Sequence, residues 1–300
     1  MKMVKKILLG LAAGALVLGL AGCKPEVAGN EDLIKISGKT GSIDYTNEGD
    51  EVTRGFRTLK TKHLDAICEI EYTVTDLVEG KQAVATGSMG YIFNVVKDKD
   101  EDKYSFSIAA VRYNQSSGAI DAYVESFNDI AKDDLEKELT GGEKATNSPA
   151  YKNGFGFELV DKATVNALLA KQTTTPKTLK LWIDVVANGK VKKTDNGATT
   201  WITPKGRGGT VGTYTVNFYG SDPGRNSAAT SYDLTWTDTD NLLASCTVEA
   251  ADVNAAYDET KGLTSMQSDV GFYANVYKGQ TLKGKWKFSE IKAEAEEIEE

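Results

Sequence analysis

Apolar and polar residues alternate along most of this 300-residue chain. The stretch "SMGYIFNVV" places Met89, Tyr91 and Phe93 on one side of an extended backbone, and "YSFSIAA" places Phe106 and Ile108 on one side. Because successive side chains of a strand point to opposite faces, this spacing predicts half-buried β-strands. The polar loop "KDKDED" between the two stretches predicts an antiparallel hairpin, with Phe93 opposite Phe106 and both apolar rows on the core face.

The same alternation recurs in "KLWIDVV", "TYTVNFYG" and "SYDLTWTD", and only two segments have helical spacing. One runs over residues 128–139 and stops before a Gly-Gly pair. The other runs over residues 161–171, with Asp161 as its N-cap. Many short strands with few helices are typical of two sheets packed face to face. We therefore predict a mainly β protein, a two-sheet antiparallel β-sandwich with two short inserted helices.

Two longer stretches resemble a known family. The stretch "GSMGYIFNVVKDKDEDKYSFSIAAVRYNQSSGAIDAYVE" resembles the three central strands of laminin-G and concanavalin-A-like jelly rolls. The stretch "VGFYANVYKGQTLKGKWKFSEI" resembles the closing strand pair of the same family. The resemblance implies a concanavalin-A-like jelly roll that ends in a hairpin.

The N-terminus has the composition of an export signal. A basic segment with Lys2, Lys5 and Lys6 precedes the apolar and small residues 7–22, which are followed by Cys23. The apolar run is shorter than the about 20 residues of a membrane span, whereas its basic start and small-residue end are typical of a signal peptide. Its final residues, "LAGC", resemble the lipobox of bacterial lipoproteins, in which cleavage precedes the cysteine and the cysteine carries the lipid. The resemblance implies a mature protein anchored to a membrane through Cys23.

These features divide the chain into four parts. They are a signal peptide at 1–22, the lipidated cysteine and a polar tether at 23–34, a β-sandwich domain at 35–290 and an acidic C-terminal tail at 291–300. Residue 24 is Lys rather than Asp, and under the lipoprotein resemblance this favours the outer membrane of the cell envelope. The sequence leaves open whether the domain faces the cell surface or the periplasm.

The charge of the chain bears on its partners. Cleavage after residue 22 removes three lysines and no acid, which takes the formal net charge from −8 to −11. Sequence-independent binding of nucleic acid requires basic surfaces, so we expect no nucleic-acid partner. The expected partners are the membrane, through the N-terminal lipid, and a glycan or another envelope protein.

Two further cysteines, Cys68 and Cys246, lie in alternating stretches that place both thiols on the apolar face. An exported protein can oxidise such a pair to a disulfide. The alternative is two buried free thiols that pack as small hydrophobic groups. The sequence leaves both alternatives open.

Candidate catalytic residues are few. The only histidine, His63, lies in no metal or triad motif and is expected at the surface. Glu69 and Glu71 share an outward strand face and could serve as the acid and the nucleophile of a jelly-roll glycoside hydrolase. The row continues with Thr73 and Thr75 instead of a third acid, which favours a solvated strand face. We therefore predict a non-enzymatic protein.

No cofactor is expected, apart from a candidate calcium site. Asp98, Asp100 and Asp102 have the spacing of a calcium loop, and calcium binds several oxygens at once. An EF-hand also needs a glycine and a glutamate where this chain has Lys103 and Ala109. Any calcium site at this loop would therefore be of another type.

The closing stretch predicts a surface with binding chemistry. A hairpin with a three-residue loop would place two outward rows of side chains next to each other on one face of a sheet. The two rows are Tyr273, Asn275 and Tyr277, and Lys283, Lys285 and Lys287. Aromatic faces stack on sugar rings and lysines attract anionic groups, although such rows also stabilise an exposed sheet by cross-strand pairing. Trp182 is a further ligand-binding candidate, because it shares a face with Asp184 rather than with its apolar neighbours.

Together these observations predict a membrane-anchored envelope lipoprotein that acts as a non-enzymatic binding module. The ligand suggested by analogy of fold is a glycan or a host matrix component. One alternative is a structural lipoprotein that binds another envelope protein. The other alternative is a glycoside hydrolase of the same fold.

Overall fold

The computed structural model describes residues 27–29, 33–49, 52–74, 87–97, 103–113, 117–131, 151–226, 232–249, 257–292 and 298–299. The strands are β1 (Val27–Gly29), β2 (Lys35–Ser37), β3 (Thr40–Thr46), β4 (Thr53–His63), β5 (Asp65–Val74), β6 (Gly87–Lys97), β7 (Lys103–Tyr113), β8 (Ile120–Ala131), β9 (Tyr151–Val160), β10 (Lys177–Asn188), β11 (Val191–Asp195), β12 (Ala198–Ile202), β13 (Thr213–Tyr219), β14 (Arg225–Asn226), β15 (Thr235–Trp236), β16 (Leu242–Glu249), β17 (Ser268–Val276), β18 (Thr281–Lys292) and β19 (Ile298–Glu299). The helices are α1 (Lys162–Ala170) and a 3-10 helix at Gly262–Met266. Within these ranges no helix has the length and apolar character needed to cross a membrane.

Two seven-stranded antiparallel sheets form the body of the molecule. Sheet A has the strand order β1-β4-β17-β6-β7-β8-β9, and sheet B has the order β16-β13-β10-β5-β18-β3-β2. The two sheets face each other across a continuous hydrophobic core. The prediction of a two-sheet antiparallel β-sandwich of the jelly-roll type is therefore confirmed.

The core is filled by the inward rows of both sheets. Phe272 of sheet A packs against Trp286 and Phe288 of sheet B, with ring centroids 5.6 and 5.0 Å apart. Tyr91 meets Phe288 edge-on at 5.1 Å. Aromatic pairs of this kind contribute about 0.5–1.5 kcal/mol each beyond the burial of their area. Gly41 provides the space for this packing, because a Cβ there would lie 2.9 Å from the Phe272 ring.

The last two long strands lie in different sheets. β17 lies in sheet A between β4 and β6, whereas β18 lies in sheet B between β5 and β3. The predicted closing hairpin is therefore wrong. Its apolar rows, represented by Phe272 and Trp286, meet across the core instead of pairing side by side in one sheet.

β6 and β7 form the predicted hairpin, but with a different register. Phe93 lies opposite Ser107 rather than Phe106, and a bulge follows at Asn94, whose φ is 52°. This register places Phe106 and Ile108 in a separate cluster on the outer face of sheet A. The sequence-based register was wrong because alternation favoured the row with Phe106 and Ile108 as the core face. Both faces of β7 are buried, and the row in the core between the sheets is that of Ala109 and Val111.

Helix α1 confirms the second of the predicted helices. The Asp161 side chain caps it by accepting a backbone hydrogen bond of 2.7 Å, and Val165 and Leu169 are buried one turn apart. The start of the other predicted helix is wrong, because residues 128–131 continue strand β8. Residues 132–139 lie outside the described ranges.

The ordered domain extends beyond its predicted limits. Val27–Gly29 pairs with β4, and Leu33 and Ile34 are each 1% exposed, so the domain includes residues that the sequence assigned to the tether. At the other end, Ile298–Glu299 pairs in parallel with β11, so part of the acidic tail belongs to a small third sheet. Cys23 and the predicted signal peptide lie outside the described residues.

Two buried ion pairs fix loops against the outer face of sheet B. Asp65 of β5 accepts hydrogen bonds of 2.7 and 2.5 Å from Arg207, and neither side chain is exposed. Asp184 of β10 binds Arg225 and accepts a hydrogen bond of 2.8 Å from the Trp236 indole. The loops before and after β13, which carry the two arginines, therefore cover one end of this face.

Candidate functional site

The predicted Tyr273–Asn275 row lies on the outer face of sheet A. In the register of this sheet, Asn275 lies between Arg54 of β4 and Ser88 of β6, and Ser88 pairs in turn with Arg112 of β7. Alternation along the strands turns these side chains away from the core. The cations beside the row are therefore two arginines from distant parts of the sequence, and not the lysines of the next strand.

In the next row across sheet A, two small residues lie between two tyrosines. Tyr273, Gly90, Ala110 and Tyr123 follow one another across β17, β6, β7 and β8. The side chains of Tyr273 and Tyr123 are hydrogen-bonded to each other, which fixes the orientation of both rings. We refer to this site as the tyrosine–arginine cluster. Its members are Arg54, Arg112, Tyr123, Glu125, Tyr273, Asn275 and Tyr277.

Arg112 links several members of the cluster. Its guanidinium lies 3.5 Å from the Asp121 carboxylate and 5.8 Å from the centre of the Tyr123 ring, and it is hydrogen-bonded to Tyr277. Burial opposes the charge of Arg112, but Tyr277 and Asp121 outweigh that effect and raise its pKa. The Arg112 side chain is 42% exposed, so this arginine forms an open edge of the cluster.

Arg54 and Glu125 place a second pair of opposite charges in the cluster. Burial alone would lower the pKa of Arg54, but Tyr273, Tyr123 and Glu125 outweigh it, and the pKa is raised. Burial raises the pKa of Glu125, and Arg54 and Arg112 partly offset this shift. Ionisable groups with perturbed pKa values that converge on one surface are typical of functional sites.

The cluster has a buried floor and a partly open rim. Tyr273 and Asn275 are only 2% and 4% exposed, which corrects the expectation of an open aromatic row, whereas Arg54, Tyr123 and Tyr277 are half-buried. The Asn275 Oδ1 and Arg54 Nε atoms are buried and have no hydrogen-bond partner within the described part of the chain. Buried polar atoms are normally hydrogen-bonded. These two are therefore unmatched polar atoms in the floor of the cluster.

The rest of this face is apolar. Phe56, Ile92, Phe106, Ile108 and Phe127 are each 5% exposed or less and form a cluster distinct from the core between the sheets. Tyr273 and Tyr123 pack against this cluster. The polar groups of the site therefore have an apolar border on one side.

The predicted lysine row lies on the outer face of the other sheet. Lys285 and Lys287 of β18 pair across sheet B with Glu71 and Glu69 of β5, and Lys283 lies 3.0 Å from Asp44. The prediction that the tyrosines and lysines form one combined patch is therefore wrong, because β17 and β18 belong to different sheets. The full core of the sandwich separates the two rows.

Trp182 shares the outer face of sheet B with the two glutamates. It lies opposite Glu69 across β10 and β5 and is half-buried. A groove does lie beside Glu69 and Glu71, as the hydrolase alternative requires. However, Lys180 binds both carboxylates, at 2.7 Å from Glu69 and 3.3 Å from Glu71. Both carboxylates of the hydrolase alternative are thus engaged in ion pairs with Lys180.

Cys68 and Cys246 are free thiols. They lie on β5 and β16, with β10 and β13 between them, so their backbones are about 14 Å apart at about 4.8 Å per strand. A disulfide spans less than about 7 Å between Cα atoms, which corrects the disulfide alternative. Both thiols contact the hydrophobic core, and burial raises the pKa of Cys246 to about 12. Neither has the lowered pKa of a reactive cysteine.

The remaining predicted chemistry gains no support from the structure. Asp98, Asp100 and Asp102 lie outside the described ranges, so the calcium site stays a prediction. Among the residues that are described, no three acidic, histidine or cysteine side chains are grouped to hold a metal ion. His63 is 3% exposed at the end of β4, so the expectation of a surface histidine is wrong.

Four members of the cluster were missed by the sequence analysis: Arg54, Arg112, Tyr123 and Glu125. The outward direction of Tyr123 and Glu125 could have been predicted from the sequence, because they alternate with the apolar even-numbered residues of β8. The place of Arg54 and Arg112 in the cluster could not have been predicted, because only the strand order brings β4 and β7 to either side of β17 and β6.

Neither a protein-family model nor a curated protein matches this chain. The chain is similar to a legume lectin-like domain from Entamoeba histolytica, with 9% identity over 90% of this chain and 91% of that chain and a TM-score of 0.40. It is also similar to the VIP36 exoplasmic/lumenal domain in its Ca2+/Man3GlcNAc-bound form, with 8% identity over 91% and 86% and a TM-score of 0.34. The carbohydrate binding module CBM66 from Bacillus subtilis has 12% identity over 88% and 89% and a TM-score of 0.23. Each likeness is distant, and the ligands named are those of the other proteins.

Proposed function

We propose that this protein is a lipid-anchored, non-enzymatic module of the cell envelope that binds a neutral glycan at the tyrosine–arginine cluster. The lipobox-like "LAGC" supports the anchor, which would be attached to Cys23. The cluster supports the ligand class. The engagement of Glu69 and Glu71 by Lys180 supports the absence of catalysis.

The observation that carries the proposal is the combination of oriented tyrosine rings with unmatched polar atoms on one sheet face. Tyr123 and Tyr277, which are half-buried at the rim, offer ring surface to the apolar face of a sugar. The Asn275 Oδ1 atom can accept a hydrogen bond from a sugar hydroxyl, and the Arg54 Nε–H can donate one. A glycan is the ligand that has an apolar ring face and hydroxyls that act as donor and acceptor.

The charges of the cluster favour a neutral sugar over an acidic one. Arg112 is paired with Asp121, and Arg54 interacts with Glu125. Two cations therefore face two anions, and little attraction is left for a ligand carboxylate or sulfate.

A glycan array probed with the soluble domain from residue 24 onward tests the proposal. We expect a neutral glycan to bind, and we expect Arg54→Ala and Tyr123→Ala each to weaken binding about tenfold, which is about 1.4 kcal/mol. Lys283→Gln on the opposite sheet is the matched control and should bind as the wild type does. A folded domain that binds no glycan, or a control that loses as much as the variants, would contradict the assignment.

The anchor and the location need separate measurements. Cys23→Ser should move the full chain from the membrane fraction to the soluble fraction, because the lipid would have no attachment point. Protease added to intact cells should digest a surface-exposed domain. Protection until the outer membrane is permeabilised would place the domain in the periplasm and would favour the alternative of an envelope-protein partner.

A further inference from the structure

The outer face of sheet B carries a groove of about 430 Å³. It lies over β2, β3, β18 and β5, at the end of the face opposite the buried ion pairs. Three lysines and three short hydroxyl side chains line it, together with Glu69 and Glu71. We call it the lysine groove, and the six residues are Lys35, Lys285, Lys287, Ser37, Thr40 and Ser42.

The register of sheet B explains why a groove forms here. Residues of β5, β18, β3 and β2 that lie side by side form two outward rows. The rows are Glu71, Lys285, Ser42 and Lys35, and Glu69, Lys287, Thr40 and Ser37. Each row therefore has long side chains on β5 and β18 and short ones on β3. The short hydroxyl side chains leave a floor below the level of the lysines.

The lysines of the groove are poorly neutralised. Lys180 takes both glutamates, at 2.7 Å and 3.3 Å, and Lys285 lies 3.9 Å from Glu71. Lys287 and Lys35 have no carboxylate within 4.0 Å among the described residues. The β18 and β2 sides of the groove thus carry positive charge, although the chain as a whole is acidic.

The floor adds hydroxyl chemistry to this charge. The Thr40 hydroxyl donates a hydrogen bond of 2.7 Å to the Ser37 carbonyl, so its oxygen is oriented with lone pairs available. The hydroxyl of Ser42 lies between Lys285 and Lys35 in its row. Hydroxyl groups can both donate to and accept from a ligand, whereas lysines only donate.

We propose that the lysine groove is a second binding site, which takes an acidic saccharide. Lys287 and Lys285 would bind its carboxylate or sulfate, and the hydroxyls of Thr40 and Ser42 would bind its ring hydroxyls. A volume of about 430 Å³ is within the range of small-ligand sites. This site stands independently of the tyrosine–arginine cluster, because the two lie on opposite sheets and differ in charge.

Calorimetric titration of the soluble domain from residue 24 onward provides the test. The probes are digalacturonate, its neutral counterpart digalactose, and a sulfated disaccharide. We expect the two acidic probes to bind and digalactose not to bind in this groove. Loss of one charge-assisted hydrogen bond should cost about tenfold in affinity, so Lys287→Gln and Lys285→Gln should each weaken acidic binding by that factor.

Lys283→Gln is the matched control, because Lys283 is on the same strand and face but is neutralised by Asp44 at 3.0 Å. It should leave acidic binding unchanged, and so should Arg54→Ala in the tyrosine–arginine cluster. Raising the salt to about 0.3 M should weaken binding of the acidic probes, since their ion pairs are exposed to solvent. Failure of both acidic probes to bind, equal binding of digalactose by the Arg54→Ala variant, or an equal effect of Lys283→Gln overturns the proposal. Sensitivity to Arg54→Ala alone would assign the binding to the other sheet and would also overturn it.

Discussion

Substitution of Asp65 by Asn should be among the most destabilising single changes in this protein. Arg207 donates to both Asp65 carboxylate oxygens, at 2.7 and 2.5 Å, and to the carbonyls of Tyr232 and Ala187 at 2.6 and 2.8 Å. Both charged side chains are fully buried. The arginine cannot lose its charge at any accessible pH, so removing the carboxylate leaves an uncompensated buried cation.

The expected cost is about 3–5 kcal/mol, which is typical of breaking a buried ion pair from one side. Domains of this size are stable by about 5–15 kcal/mol, so a large share of the stability would be lost. The assay is urea unfolding followed by tryptophan fluorescence. Asp44→Asn is the control, because it removes an exposed ion pair with Lys283 and should change stability by less than about 1 kcal/mol.

The double variant Asp65→Asn with Arg207→Met sharpens the test. It removes both charges, so its destabilisation should fall well below the sum of the two single changes. A loss of under about 1 kcal/mol for Asp65→Asn, or strict additivity in the double variant, would refute the account of a mutually dependent buried pair.

The same pair sets a pH dependence. Burial would raise the pKa of Asp65, but the charge and hydrogen bonds of Arg207 outweigh it and the pKa is lowered. A carboxyl whose folded pKa lies below its unfolded value of about 3.9 stabilises the fold above that pH. This contribution should be lost as the pH falls below about 4 toward the folded pKa, and Asp65→Asn should flatten that part of the acid-unfolding curve.

Two further predictions concern the interior. Gly271→Ala should lower the free energy of unfolding by more than about 2 kcal/mol, because its Cβ would collide with the backbone of β4, whereas Gly208→Ala meets no atom within 4 Å and should be nearly neutral in the same urea titration. A neutral result at Gly271 would show that β4 and β17 can separate at no cost. In the native domain, Cys68 should resist alkylation by iodoacetamide and Cys246 should react slowly, since burial raises the pKa of both thiols, and mass spectrometry after denaturation should find both labelled. A disulfide in the purified protein would contradict the separation of their strands.

The strand content and the sandwich architecture could be predicted from the sequence because alternation is a local property. Residues such as Tyr214, Val216 and Phe218 alternate with polar neighbours, and all three are buried in the core. The α1 cap at Asp161 was equally local, because its bond is made three residues away. Predictions that rest on residues within a few positions of each other are therefore confirmed by the structure.

Strand partners could not be predicted in the same way. Tyr277 and Lys283 are separated by a short loop that suits a hairpin, yet a jelly roll can use the same loop to cross between sheets. The choice depends on which neighbours are already in place, and those neighbours lie far away in the sequence. The arginines of the tyrosine–arginine cluster were missed for the same reason, since Arg54 and Arg112 meet Asn275 only through the strand order.

The face of β7 that lies in the core could not be predicted, for a different reason. Its residues from Tyr104 to Val111 are buried on both faces, and the row with Phe106 and Ile108, which alternation assigned to the core, lies on the outer face. The bulge at Asn94 decides the register, and a residue with positive φ is not marked by any alternation pattern. The outer apolar cluster on sheet A therefore appeared only in the structure.

The placement of β17 and β18 has a consequence for how the chain reaches its native state. Each is an interior strand, one in sheet A and the other in sheet B, although both lie near the C-terminal end of the chain. Until β17 has been synthesised, β4 and β6 lack the strand that joins them, and until β18 has been synthesised, β5 and β3 lack theirs. Neither sheet can therefore be completed early, and the unpaired edges of the incomplete sheets are open to aggregation. Each sheet therefore needs its C-terminal interior strand before it can fold, and a chain cut short before β17 should be degraded rather than retained as a partial domain.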